Sequence, residues 1–242
     1  MTAKTRFRIE PQPNLETCGP TCLHAIYQHY GDSISLTRVT SEIPRARGGG
    51  TLAVWLGCHA LARGYKATLY TYNLNVFDPS WFGDEGIDMR ERLHSQMKHK
   101  RSSKLLWASR GYRRFLAWGG EILLRDLTPG LLRENLERSV PIISGLSSTY
   151  FYKTPRETAD SHFDDIQGKP QGHFVVLYGF KPRGRKVLVA DPLLPNPVAD
   201  SQHYAMPIDR VICAVLLGIL TYDANLLVIE PCASKKRSKT RD

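Results

Sequence analysis

The sequence predicts an α+β fold on three observations. Thr17-Cys18-Gly19-Pro20-Thr21 opens an apolar-periodic run (Leu23, Ile26, Tyr27, Tyr30) that stops at Gly31, the proline-first, glycine-last pattern of a helix. Two valine-rich apolar runs, 173–180 and 186–190, flank Lys181-Pro182-Arg183-Gly184-Arg185 and read as a β-hairpin. Hydrophobic residues make up 42% of 242 and charged residues 23%, enough to bury a core in one domain of ordinary size.

The other elements follow in chain order. The first helix runs from Cys18 or Gly19 to Tyr30, with Cys18 at its N-terminal edge. Gly48-Gly49-Gly50 is a turn, after which Thr51 caps a second helix through Ala62 that ends at Gly64. Residues 66–72 alternate as a strand. From 78 to 125 the pattern is loose: Trp81, Phe82, Trp107, Phe115 and Trp118 are scattered among charges, which reads as an insertion of short helices or a lid. Thr128-Pro129-Gly130 opens a helix over 131–138 that feeds a strand at 140–146, and 225–229 is a last short strand. The expectation is a single domain over 1–234 with the insertion inside it, then a basic, disordered tail at 235–242. The longest apolar stretch, 211–220, is about half of what a membrane helix needs. No signal peptide is recognisable behind the basic, polar N-terminus, so no membrane association is expected and the predicted location is cytoplasmic.

The formal charge of +10 is unevenly placed. Residues 90–114 hold nine basic residues and one acid, and residues 235–242 hold five and one, so the remaining chain is close to neutral at −2. An acidic substrate or partner suits the internal basic segment. Nucleic acid is the less favoured reading, because such a run is usually a solvated helical face. Five cysteines do not make a disulfide scaffold, and an odd number leaves at least one free.

Cys18 is the most informative residue. A helix N-terminus favours the thiolate, the nucleophilic form of cysteine, and Gly19 lets a substrate approach the backbone there. A thiolate needs a base, and the base an orienting group. The hairpin offers both. With its turn centred between Pro182 and Arg183, His173 lies opposite Pro192, one residue from Asp191, so a histidine and a carboxylate reach the same end of the sheet. Gly172 leaves room beside the imidazole. Gln12, in the extended Pro11-Gln12-Pro13 segment six residues upstream of Cys18, can donate to an oxyanion together with the Cys18 N–H. The expected roles are Cys18 as nucleophile, His173 as base and then acid, and Asp191 as the group that fixes the imidazole tautomer.

Gln12, Thr17-Cys18-Gly19-Pro20-Thr21-Cys22, Gly172-His173-Phe174-Val175-Val176 and Ala190-Asp191-Pro192 together resemble the papain-like peptidase domain of bacteriocin exporters, the double-glycine leader peptidases, and their stand-alone bacterial relatives most of all. The resemblance spans about 8–230 and fits poorly over 78–125. It implies a papain-like fold, an N-terminal helical part with the Cys18 helix packed on an antiparallel sheet, a Cys18–His173–Asp191 triad and Gln12 in the oxyanion hole, with no cofactor and no metal. Thr17 replaces the aspartate common before the cysteine in the exporter enzymes, and no transporter segments follow. Similarity to relatives that accompany ATP-grasp amide ligases implies such a ligase as a partner.

The other candidates are read more plainly. Cys22 is a core-facing small residue before it is a resolving thiol, and Cys18, Cys22 and His24 lack the second ligand pair that a zinc site needs. Cys58, Cys213 and Cys232 read as packing residues, and Trp55 and Trp81 as core. His162 and His203 lie in polar segments or loops without a carboxylate opposite, and Asp200 and Asp209 lack the hairpin position of Asp191. The function expected is thiol-dependent hydrolysis of a peptide or amide bond. The alternatives are an acyl transferase using the same triad, and a catalytically silent domain that binds a peptide or an anionic partner.

Overall fold

The computed structural model describes residues 7–46, 49–83 and 86–232. The expected tail at 235–242 lies outside them, as does Gly48. Helix α1 (Cys18–His29) begins at Cys18 itself and closes through Tyr30, with Gly31 at φ 75°. Leu23, Ile26 and Tyr27 are completely buried, so α1 is pinned by one apolar face; each such side chain contributes roughly 1.5–3 kcal/mol. Helices α2 (Leu36–Glu42) and α3 (Ala53–Ala62) follow. The cap of α3 differs from expectation: the helix starts after Leu52 without a side-chain cap, and the Thr51 hydroxyl donates instead to the Pro44 carbonyl at 2.9 Å.

Seven strands form one sheet: β1 (Tyr65–Thr71), β2 (Glu121–Leu123), β3 (Ile142–Ser147), β4 (Gly172–Lys181), β5 (Lys186–Ala190), β6 (His203–Pro207) and β7 (Asn225–Pro231). Their order is β2-β1-β7-β3-β4-β5-β6, antiparallel throughout except for the edge pair β1–β2. The two-residue period of a strand divides the sheet between two cores. Ile143, Phe174, Val176, Ala190 and Leu227 join the core built with α1 and α3. Ile142, Val175, Leu177, Val187 and Leu226 face the other, which is closed by α6 (Pro129–Leu136), α7 (Ser148–Tyr152) and α8 (Ile208–Leu217). The α+β class with the Cys18 helix packed on the sheet is the one expected. Among the described residues no helix is long and apolar enough to cross a membrane.

The segment read as a loose insertion is more regular than its composition suggests. It holds α4 (Met89–His99) and the 15-residue α5 (Ser103–Ala117), capped by Asp88 and Ser102. Leu105, Ala108, Tyr112 and Phe115 form the buried stripe of α5, and the Tyr112 ring meets Phe77 edge-on at 4.7 Å. Gly111 lets α5 settle onto α3, since a Cβ there would stand 2.8 Å from Val54 and 3.0 Å from Trp55. Trp55 is buried as expected, and Trp81 packs half-buried against the same core.

Candidate active site

The hairpin is formed, but its register is not the one expected. Lys181 pairs with Lys186, Phe180 with Val187 and Gly179 with Leu188; a bulge between Leu177 and Gly179 then resets the pairing to Leu177 with Val189 and Val176 with Ala190. Continued beyond Ala190, this places Asp191 across from Val175, two residues from His173 and therefore on the same face. Without the bulge Asp191 would fall across from Val176, with His173 on the other face, since a slip of one residue reverses every side chain. His173 and Asp191 thus meet diagonally, not almost directly opposite.

They meet closely. His173 Nε2 and Asp191 Oδ1 are 2.9 Å apart, with His173 only 6% exposed and Asp191 fully buried. Because the carboxylate accepts at Nε2, the imidazole carries its proton there and keeps Nδ1 for its other neighbour, the Cys18 thiol, which interacts with it electrostatically. Burial alone would lower the His173 pKa, but the charges of Asp191 and Cys18 outweigh it and raise it to about 10. Burial likewise works against ionisation of Asp191. The His173 charge and hydrogen bonds from His173, Tyr204 and the Leu193 N–H prevail and hold its carboxyl below the usual range. The carboxylate thus equips the imidazole to accept a proton beside a thiol at a helix N-terminus, the arrangement needed to make a cysteine nucleophilic.

Gln12 is brought to the same end of the fold. Its backbone N–H donates to the Pro192 carbonyl at 2.9 Å, tying the N-terminal segment to the residue after Asp191. Its side-chain Nε2 donates to the Asn14 carbonyl at 3.0 Å, and Oε1 is buried with no partner among the described residues.

Two glycines flank the site for reasons other than those expected. Gly19 is packed, not open to substrate: a Cβ would stand 2.9 Å from Thr51 and 3.2 Å from Phe174. Gly172 makes room for Asp223, whose Oδ2 lies 2.2 Å from where its Cβ would be, with Thr221 Oγ1 at 2.7 Å. Asp223 is 7% exposed, its Oδ1 has no partner among the described residues, and burial pushes its pKa up to about 7. From α5, Lys104 Nζ donates to the Thr221 carbonyl at 2.9 Å and lies over the Tyr222 ring, which ties the insertion to the wall behind Gly172.

The sequence reading missed the side chains that hold Asp191. Oδ2 accepts from Tyr152 Oη at 2.7 Å, Tyr204 Oη at 2.6 Å and Asn196 Nδ2 at 2.9 Å, while the Leu193 N–H donates to Oδ1 at 3.0 Å. These donors come from α7, β6 and the loop between β5 and β6, and no local signal marks them.

The remaining candidates lie elsewhere or do other things. Cys22 is fully buried and its thiol donates to the Phe174 carbonyl, as a core-facing residue should. All five cysteines are free; Cys58 is buried, whereas Cys213 is exposed and does not pack as expected. His203 stands in strand β6 and not in a loop, its ring edge-on to Tyr178 at 5.7 Å. His162 is exposed and pairs with Asp160 within its own turn, and Asp209 pairs with Arg185.

No protein-family model matches the chain, and no curated protein matches it in sequence. Among solved structures it is similar to the peptidase domain of Streptococcus ComA, a bifunctional ABC transporter of a quorum-sensing pathway, with 15% identity, a TM-score of 0.46, and coverage of 93% of this chain and 99% of that one. It is also similar to a double-glycine motif protease from an AMS/PCAT transporter in complex with its leader peptide (15% identity, TM-score 0.43, 93% and 91% covered). A C39-like peptidase from Bacillus anthracis is similar at 13% identity and a TM-score of 0.39, over 94% of this chain and 96% of that one.

Proposed function

We propose that the protein hydrolyses a peptide or amide bond with Cys18 as nucleophile. The observation that carries this is a single histidine, His173, hydrogen-bonded to a buried carboxylate and interacting electrostatically with a cysteine at a helix N-terminus. Cys18 Sγ attacks the carbonyl carbon after its proton passes to His173 Nδ1. The oxyanion forms where the first free N–H groups of α1 point, and the second N–H of the Gln12 amide is the side-chain donor to it. His173 then gives its proton to the leaving amine as the C–N bond breaks, leaving an acyl-enzyme. Water attacks that thioester while His173 takes its proton, and the acid leaves with the thiolate restored.

Acidic peptides are the substrates that suit the charge distribution. Arg90, Arg92, Lys98, Arg101 and Arg110 are exposed on the α4–α5 hairpin, and no ion pair among the described residues involves any of them. Five free thiols fit a reducing compartment such as the bacterial cytoplasm.

The test is incubation of the full chain and Cys18→Ala with a mixture of proteome-derived peptides, with new termini read by mass spectrometry in the presence and absence of an added amine. Cleavage by the wild type alone is the expected result. Amide products formed only with the amine would make it a transferase, and identical product lists from the two proteins would leave a binding domain.

A further inference from the structure

Asp191 has more hydrogen-bond donors than orientation requires. The Leu193 N–H fixes Oδ1 and the Asn196 amide fixes Oδ2, so the plane of the carboxylate is set before either tyrosine is counted. Tyr152 and Tyr204 nevertheless both donate to Oδ2, at 2.7 and 2.6 Å, from separate elements. Phe151, completely buried, lies against both rings at 5.4 and 6.4 Å and holds them in place. Three donors on Oδ2 exceed the two lone-pair sites of a single carboxylate oxygen.

The reaction gives the surplus a purpose. His173 has to hold a proton while the thiolate attacks, lose it to the leaving amine, and accept and lose another during release of the acyl group. A fully buried carboxylate with its charge undiminished binds an imidazolium strongly, because the interior screens poorly. Neutral donors on the carboxylate spread that charge and weaken its pull. We propose that Tyr152 and Tyr204 are positioning residues that temper Asp191, sharing its negative charge at Oδ2 so that His173 can release its proton as well as hold it. This rests on the Cys18–His173–Asp191 reading above. The phenols act only through Asp191 and His173.

The variants are Tyr204→Phe, Tyr152→Phe and the pair, which keep the rings and remove the donors. The readout is the rate of Cys18 alkylation by iodoacetate from pH 4 to 11, located by peptide mapping, with thermal melting alongside. Iodoacetate is anionic and reacts fastest with a thiolate beside an imidazolium, so the alkaline limb of its profile reports proton loss from His173. Removing a phenol strengthens the carboxylate's hold and moves that limb upward, by roughly half a pH unit for each phenol. Ordinary structural loosening admits water and moves the limb downward instead. An unchanged or lowered limb in the double variant, with its fold intact by melting, overturns the tempering role and leaves the triad standing. A wild type without the bell-shaped profile overturns the triad and the inference with it. Should the double variant melt below the assay temperature, Tyr204→Phe alone decides, since Tyr204 is the less buried of the two.

Discussion

Replacing Asp191 by asparagine is the sharpest perturbation, because the surroundings dictate how the new amide must lie. Tyr152, Tyr204 and Asn196 all donate to Oδ2, so the amide oxygen has to take that position. The amide NH2 then faces His173 Nε2 and the Leu193 N–H, both of which were donors to Oδ1. The imidazole escapes the clash by moving its proton to Nδ1, which leaves it unable to accept from Cys18. Charge and tautomer are lost in a single step, with little change of shape.

At pH 6 an ordinary thiol of pKa about 8.5 is ionised in roughly 0.3% of molecules. A thiolate paired with an imidazolium is ionised in most of them. Labelling of Cys18 by iodoacetamide at pH 6 therefore falls about 10²-fold in Asp191→Asn, since it then follows the small thiolate fraction. Hydrolysis falls further, by about 10³–10⁴, because the base is lost as well. The assay is the pH dependence of labelling from pH 4 to 10, mapped cysteine by cysteine, with melting to show that the fold persists. If Asp191→Asn labels at pH 6 within about threefold of the wild type, Asp191 sets neither the charge nor the tautomer of His173, and the reasoning fails.

Three further outcomes are expected. Gly172→Ala should destabilise by about 1–3 kcal/mol through overpacking against the Asp223 carboxylate and Thr221, and adding Asp223→Ala should recover part of that loss in chemical denaturation. Burial lifts the Asp223 pKa from 3.8 to about 7 in the folded chain, so between these values the unfolded chain binds fewer protons and stability falls as pH rises. Asp223→Asn should remove a penalty of up to about 4 kcal/mol above pH 7 and leave stability near pH 3 unchanged; equal effects at both pH values would refute it. Arg101→Glu with Arg110→Glu should lower kcat/KM for an acidic peptide roughly tenfold at low salt, with no effect on a neutral peptide and a vanishing difference in concentrated salt.

The parts of this site legible in the sequence are those set by local rules. Cys18 is readable because Pro20 and Gly31 bracket a helix whose start is a matter of backbone hydrogen bonding. His173 and Asp191 are readable because a hairpin brings residues equally far from its turn together. The bulge at Leu177–Gly179 was not readable, since it depends on how the Gly179 backbone settles against Leu188, 3.0 Å from where a Cβ would stand. Helix α5 hid its period: half-buried Leu106 and Trp107 sit between the core positions Leu105 and Ala108, which blurs an otherwise regular stripe. Strand β6 lies at the sheet edge and shows half-buried positions in place of a clean alternation. Tyr152, Tyr204 and Asn196 converge on one oxygen only through the tertiary fold, and no spacing in the chain announces them.

The two buried carboxylates that interact with the His173 charge receive opposite treatment, and the contrast explains how one histidine can serve the site. Asp191 is fully buried yet ionised, because five donors and a neighbouring charge outweigh the loss of water. Asp223, on the far side of Gly172, is nearly as buried, but one of its oxygens has no donor among the described residues, and its proton stays on to about pH 7. Two ionised carboxylates around a buried imidazolium would hold its proton more tightly than a single one. Leaving Asp223 short of donors keeps the second charge off below about pH 7, while saturating Asp191 softens the first. Both arrangements act in the same direction, toward a histidine that is charged beside the thiolate and still able to surrender its proton to a leaving amine.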